Sequence, residues 1–312
     1  HRSRPCPVIT VAPMEFPSGV FLQFAEAVKR RVKIPVIAVG RLHEPALARQ
    51  VIQSGRADLA ALGRALLADP EWARKVREGR EDEIRPCLAC NTCVVELRSG
   101  RSVACLVNPA CSNETKFVRR PAERSRRIMV VGGGPAGVSA ATWLAERGHC
   151  VRLFERSDRL GGQLHLAALA PYFQEVRCSA GTILGFIAYL ERMARQVGVE
   201  VRLQASVEAS EVLREAPDVL VLAQGAPYRA PWRWFIPGLL KYGMAGWWPF
   251  RWISAWPQVK QWLFYALRAP DNQLAQEMRS RRVEVHAVGD CRSPRGTFEA
   301  IQEGWRIGHD LG

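Results

Sequence analysis

Apolar and polar positions along the chain change period in a way that divides it into parts. Ile34–Gly40 (IPVIAVG) and Ala57–Gly63 (ADLAALG) are short apolar runs closed by glycine, and stretches with helical spacing follow them at Pro45–Ile52 and Asp69–Glu78. A short apolar run rich in β-branched residues predicts a strand, whereas apolar residues three and four apart predict a helix. Two such strand-helix units in succession predict a parallel sheet or a barrel. Beyond residue 127 the pattern returns in RIMVVGGGPAGVSAATWLAERGHCVRLFE, a strand, a glycine turn, a helix and a second strand. A last apolar run, Val285–Cys291 (VHAVGDC), precedes a helical stretch at Thr297–His309.

The ends of these strands carry the first candidate chemistry. The two early strands end in Gly40-Arg41 and Gly63-Arg64. Loops after the last strands of a (β/α)8 barrel commonly cradle a phosphate, with glycine letting backbone N–H groups approach and arginine adding charge. A strand-ending glycine is also a plain turn, so both readings stand. In the later unit Gly132, Gly134 and Gly137 show the G-x-G-x-x-G spacing between a strand and a helix. Glu155 ends the second strand, where an acidic side chain accepts hydrogen bonds from an adenosine ribose. Asp290 closes the late strand, where its carboxylate can accept hydrogen bonds from a flavin ribityl chain, with the following helix pointing its positive end at the flavin. A fold that binds only NAD has no use for this second arm, so FAD is the expected dinucleotide; a helix N-cap is the alternative for Asp290 alone.

Between the two parts lie Cys87, Cys90, Cys93 and Cys105, spaced C-x2-C-x2-C-x11-C. The first residues, HRSRPCPVITVAP, place charge and proline where a signal peptide has its apolar core, so a reducing, cytoplasmic setting is expected, in which structural disulfides are rare. Structural zinc usually takes two separated C-x2-C pairs. Three close cysteines and a fourth returning later wrap a compact [4Fe-4S] cluster, which is favoured over zinc, and zinc over disulfides or unliganded thiols.

Composition narrows the partners. A chain of 312 residues, 48% hydrophobic and 24% charged, can hold two globular cores. The formal net charge of +14 invites nucleic acid. The basic residues are spread along the chain, however, and match no helix-turn-helix, zinc-finger or RNA-binding signature, so a solvated basic surface is expected and nucleic acid is not.

Taken together, PVIAVGR, ADLAALGRALLADPEWARKVREGREDEIRPCLACNTC, CLVNPAC, VVGGGPAG, LGGQL and VHAVGDCRSPRGTFEAIQEG resemble the NADH:flavin oxidoreductases related to old yellow enzyme, in particular the 2,4-dienoyl-CoA reductase and trimethylamine dehydrogenase group. These motifs cover most of residues 14–227 and 270–312. The resemblance implies an α/β chain made of the C-terminal end of a (β/α)8 barrel (1–86), a [4Fe-4S] module (87–118) and a Rossmann-like FAD domain in two parts (119–227 and 271–312). It implies that Arg41, Gly63 and Arg64 contact FMN phosphate, that the four cysteines hold the cluster, and that Gly134, Ala136, Glu155 and Gln163 lie along FAD. Electrons then pass from a nicotinamide through FAD and the cluster to FMN, which reduces an activated C=C bond such as that of an enoyl or dienoyl CoA thioester or, in reverse, oxidises an amine.

Two departures qualify that picture. Only the last two barrel units are visible, with VITVAPMEFPSG as the end of a third, so enclosing FMN requires an upstream portion or a separate chain, and no catalytic acid can be named. The family also inserts a complete NAD(P)H-binding fold where this chain has 63 residues between Gly225 and Gly289, which leaves NAD(P)H as donor an open question. In its place residues 228–270 carry seven of the ten tryptophans, six Lys or Arg and no Asp or Glu. Such a segment suits peripheral contact with a membrane, docking of a redox partner protein, or packing over a surface left bare. The rival to an enzyme is therefore a non-catalytic electron-transfer module fed by such a partner.

Overall fold

A computed structural model describes residues 10–118, 120–170, 172–173, 176–226 and 268–311. The tryptophan-rich segment expected at 228–270 lies, apart from 268–270, outside the described residues. Two compact units emerge: His1–Cys111 with Tyr172–Ser179, and Ser112–Pro171 with Ala180–Gly312. The expected cysteine module at 87–118 straddles this division, its four cysteines falling in the first unit.

The first unit opens with α1 (Leu22–Lys29) and the two expected strand-helix pairs: β1 (Ile37–Val39), α2 (Pro45–Gln53), β2 (Leu59–Ala61), then α3 (Arg64–Ala68) and α4 (Trp72–Arg77). The strands pair in parallel, with Ile37 opposite Leu59 and Val39 opposite Ala61. Both are shorter than their apolar runs. Pro35 has no N–H for a ladder, and the Val36 N–H donates instead to the Asp58 carboxylate at 2.7 Å. The helix expected from Asp69 starts at Trp72, because the residue before Pro70 is pushed out of the helical region, and Asp69 sits at φ −140°, ψ 100°. Leu22, Ala38, Leu42, Val51 and Ala57 form one small core, and Ala48, Ala65 and Trp72 a second. After the cysteine loop begins, α5 (Thr92–Arg98) follows.

The second unit is built on β3 (Arg127–Val131), α6 (Pro135–Glu146), β4 (Cys150–Phe154) and α7 (Leu164–Leu169). The hairpin β5 (Tyr172–Phe173) and β6 (Val176–Arg177) groups with the first unit. The chain continues through α8 (Ala180–Gln196), β7 (Glu200–Arg202), α9 (Ala209–Glu215), β8 (Val219–Leu222), α10 (Gln273–Ser280), β9 (Glu284–Ala287) and α11 (Thr297–Asp310). Five parallel strands are ordered β7-β4-β3-β8-β9. The chain leaves β3 first toward β4 and later toward β8 on its other side. Such a reversal opens a crevice at the carboxyl ends of the strands, where dinucleotides bind in folds of this kind.

Both faces of that sheet are sealed by apolar residues. Ile128, Val130, Leu153, Val219 and Val221 point to one core with Val138, Ala140 and Leu144 of α6, while Met129, Val131, Phe154, Leu220 and Leu222 point to the other with Met278 of α10. Helices α6 and α11 approach so closely that a Cβ on Gly304 would lie 2.2 Å from the Ala136 carbonyl oxygen, and one on Gly308 2.1 Å from the Trp143 ring. Trp143 and Trp305 extend this contact, with centroids 4.2 Å apart. No helix among the described residues is long and apolar enough to cross a membrane.

Candidate functional site

In the first unit the four expected cysteines come together. Cys87, Cys90, Cys93 and Cys105 are free thiols lining one cavity, with Arg64, Leu67, Leu88, Asn91 and Leu106 among the walls. The loop achieves this by turning twice: Ala89 at φ 48° and Asn91 at φ 59° both lie in the left-handed region, one in each two-residue gap. Non-glycine residues there are uncommon, and such strain concentrates at sites where the surroundings hold it in place. The Ala89 N–H points at the Cys87 sulfur at 3.4 Å, and the Thr92 hydroxyl lies 3.3 Å from that of Cys90.

Burial disfavours ionisation of three of the thiols. Burial, and then the neighbouring Cys87 and Cys90, push the Cys93 thiol up to about 11. Burial pushes Cys105 to about 12 and raises Cys87 as well, while backbone N–H groups of Val107 and Ala89 pull the other way. Four cysteines around one cavity, three of them with thiols raised by burial, fit an iron–sulfur group, whose thiolate ligands are deprotonated by the metal. No three His, Cys, Asp or Glu side chains among the described residues converge closely enough to grip one metal ion. In a four-iron cube each thiolate meets a different iron, so its ligands ring a cavity instead of crowding one point.

The expected phosphate residues stand at the edge of this unit's strands. Arg41 is at φ 52° and donates through Nη1 to the Pro13 and Met14 carbonyls at 3.2 and 3.0 Å. Its Nε is buried with no hydrogen-bond partner, the kind of orphan donor that an anion satisfies. Burial, followed by the adjacent Arg64 charge, lowers the Arg41 pKa. Beside Gly63 a Cβ would meet nothing within 4 Å, leaving open space. Arg64 is differently engaged: its Nη1 donates to Asn91 Oδ1 at 2.5 Å and its Nη2 to the Ala12 carbonyl at 2.8 Å. A buried carboxylate that sequence reasoning missed supports the same loop. Asp69 accepts hydrogen bonds from Lys75 Nζ at 2.7 Å and from the N–H groups of Glu71 and Arg85, the latter two residues before Cys87.

In the second unit the glycine turn is as the spacing predicts. Gly132 sits at φ 111°, and a Cβ on Gly137 would lie 1.9 Å from the Gly132 carbonyl oxygen, so only glycine lets α6 start against the end of β3. Gly134 precedes α6 in extended conformation, and Ala136 is buried where α6 meets Gly289 and Gly304. Glu155 is buried beside this turn. Its Oε2 accepts the Gly133 N–H at 2.6 Å and its Oε1 the Ser157 N–H and hydroxyl at 2.8 and 2.7 Å. Oε2 keeps a second lone pair free to accept a further hydrogen bond.

Gln163 and Asp290, far apart in sequence, are brought together by a residue not foreseen. Arg268 is buried, donates through Nε to the Ala226 carbonyl at 3.2 Å, and through Nη2 to Gln163 Oε1 at 2.6 Å and to the Asp290 carboxylate. Gln163 Nε2 donates to the same Ala226 carbonyl at 3.3 Å, and Asp290 Oδ1 accepts the Arg295 N–H at 2.8 Å. Asp290 is thus held by a cation and a turn, and is not the N-cap of α11, a position taken by Gly296. A lone arginine closing a basic segment carries no signal of such a role.

Comparisons with known proteins agree with these two halves. Residues 11–83 match the NADH:flavin oxidoreductase / NADH oxidase family, and residues 130–197 match the NAD(P)-binding Rossmann-like domain. An NADH oxidase of Thermoanaerobacter brockii is 40% identical over 217 residues, which is 69% of this chain and 32% of that protein. A cinnamate reductase of Clostridium sporogenes is 34% identical over 218 residues, 70% of this chain and 32% of the reductase. The structure of a 2-naphthoyl-CoA reductase superposes with a TM-score of 0.80 at 23% identity, over 96% of this chain and 57% of that one, and so shows the fold. The matched region spans about a third of the length of these two curated relatives.

Proposed function

The chain belongs to the NADH:flavin oxidoreductase and old yellow enzyme-related group, and from that premise we propose that it is the cluster- and FAD-bearing portion of a flavin oxidoreductase that reduces an activated C=C bond, such as that of an enoyl or dienoyl thioester. The observation that carries the reading is the ring of four free cysteines around one cavity, walled by the arginine that ends a barrel strand. When bound, FAD, FMN and a [4Fe-4S] cluster supply the conversion between the electron pair of a nicotinamide and single electrons.

The residues divide the work. Cys87, Cys90, Cys93 and Cys105, deprotonated to thiolates with their protons released to solvent, would ligate the cluster. Arg41, with its unpartnered Nε, and the open backbone at Gly63 would receive the FMN phosphate together with Arg64, which also lines the cysteine cavity. Gly132, Gly134 and Gly137 let the FAD pyrophosphate approach the start of α6, Glu155 takes a ribose hydroxyl, and Gln163 and Asp290 flank the flavin end, held by Arg268. On this reading residues 1–86 complete a barrel with a further portion of the protein, and 228–270 stand where an NAD(P)H fold would be. The rival, an electron-transfer module fed by a redox partner docked on 228–270, draws its support from that same replacement.

One experiment separates them. The anaerobically purified chain is titrated with NADH and NADPH while its visible spectrum is recorded, with dithionite as control. Bleaching of flavin and cluster by a nicotinamide supports the reductase, and bleaching by dithionite alone moves the electron source to a partner. A chain that holds neither chromophore overturns both.

A further inference from the structure

We propose that Asn91 and Arg64 act as a positioning pair for the cysteine module, clamping the loop between Cys90 and Cys93 to the ends of the barrel strands and fixing one positive charge in the cavity wall. The inference rests on the cluster reading above. Asn91 occupies the gap between two ligand cysteines at φ 59°. For a residue with a Cβ this conformation costs about 1–2 kcal/mol, least for Asn and Asp, whose short polar side chains bond locally. Here the side chain bonds elsewhere. Its Oδ1 accepts Arg64 Nη1 at 2.5 Å, and its Nδ2 donates to the Val11 carbonyl at 3.2 Å. Arg64 completes the frame through the Ala12 carbonyl at 2.8 Å. Three hydrogen bonds therefore tie the ligand loop to residue 64, just past β2, and to the stretch at 11–12.

The pair does more than hold a shape. Arg64 is the one charged side chain among the described residues lining the cavity. A cluster bound by four thiolates is anionic and gains a further negative charge on reduction, so a cation held against it favours the reduced form, as charge and hydrogen bonding tune such potentials generally. Because Arg64 is also the arginine expected at the FMN phosphate, the clamp makes one side chain common to both sites.

The test uses the chain reconstituted anaerobically with iron and sulfide, followed by its visible spectrum, the electron paramagnetic resonance of the reduced form, and its midpoint potential. In Asn91→Gly the left-handed backbone is kept and the clamp lost; in Asn91→Ala both go. Both variants are expected to lose the cluster to a chelator about tenfold faster than wild type, the scale on which groups that hold metal ligands in place act. Arg64→Gln is expected to shift the reduced-to-oxidised equilibrium about tenfold toward the oxidised form, ~59 mV for one electron, with Arg64→Lys recovering most of it. An Asn91→Gly chain that keeps its cluster as long as wild type shows that only the turn matters and overturns the clamp. An Arg64→Gln chain with unchanged potential overturns the charge. Wild type that takes up no cluster removes the reading beneath the inference, a result distinguishable from either.

Discussion

The two units solve the problem of holding a site in opposite ways. In the sheet unit the glycine turn, Glu155 and Asp290 hang from strand ends whose side chains are buried on both faces, among them Val130, Leu153, Val221 and Leu222. In the first unit the cysteines stand on a loop with two left-handed turns, next to two strands of three residues each, with Ile37, Val39 and Leu59 exposed. The glycine-turn site is secured by apolar packing on both faces of the sheet. The cysteine site is secured by a few polar ties, Asp69 to Arg85 and Asn91 to Arg64, around thiols that burial keeps protonated. The sheet unit is therefore expected to fold without a ligand, and the cysteine loop to gain its rigidity with the cluster proposed for it.

Arg268→Ala is the strongest challenge to that contrast, because it breaks a polar tie inside the unit said to depend on packing. Its side chain is fully buried against Asp290, and removing one partner of a buried pair costs about 3–5 kcal/mol, mostly by leaving the other charge unpaired. Chemical denaturation of the sheet unit's transition measures it, and Arg268→Gln paired with Asp290→Asn should recover much of the loss. A cost below about 1 kcal/mol means that the pair is as weak as a surface one. Gly137→Ala comes next. The added Cβ would sit 1.9 Å from the Gly132 carbonyl oxygen, backbone that cannot step aside, so a loss of about 3 kcal/mol is expected and, on the FAD reading proposed above, a loss of FAD affinity. Unchanged stability with lost FAD binding would show that the turn serves the ligand alone.

How much of this was legible in sequence follows the same divide. The period of the apolar runs and the spacing of Gly132, Gly134 and Gly137 announced the sheet unit, since strand burial and close helix approach leave local marks. The cysteine spacing announced a ring of thiols. What stayed hidden were the long-range polar ties: Asn91 to Val11, Arg64 to Ala12, and Arg268 to Gln163, joining positions 80, 52 and 105 residues apart. Such contacts depend on where loops return in space, and no local period encodes them. Pro70 was the one readable clue passed over, for it moves Asp69 out of the helix and frees its carboxylate to accept the Arg85 N–H.

Asp69→Asn tests the polar side of the contrast with a smaller effect. Burial alone would raise the Asp69 pKa, but Lys75 and the Arg85 N–H outweigh it and hold the carboxyl below its usual value. A depressed carboxyl contributes stability that is complete above the unfolded pKa, about 4, and is lost as pH falls through the folded value. At neutral pH the substitution should cost about 2 kcal/mol in the first unit, from charge-assisted hydrogen bonds. Its cost should shrink in acid below pH ~4. Retention of wild-type stability at pH 7 would remove Asp69 as a support of the cysteine loop.

The smallest effect lies in the sheet unit, at His149, and sharpens the contrast because there packing works against a charge. His149 is buried, its Nδ1 accepts the Arg126 N–H at 3.2 Å, and its Nε2 has no partner. Burial first, then the charges of Arg147 and Arg126, hold its pKa below 6.5. The unfolded chain therefore takes up a proton before the folded one does. Stability from this group is complete above about pH 6.5 and declines as pH falls below it, the reverse of a histidine held by a carboxylate. The sheet unit's unfolding free energy should fall by less than about 1 kcal/mol between pH 7 and 6, and His149→Gln should flatten that slope. A slope that survives the substitution assigns the proton to another group.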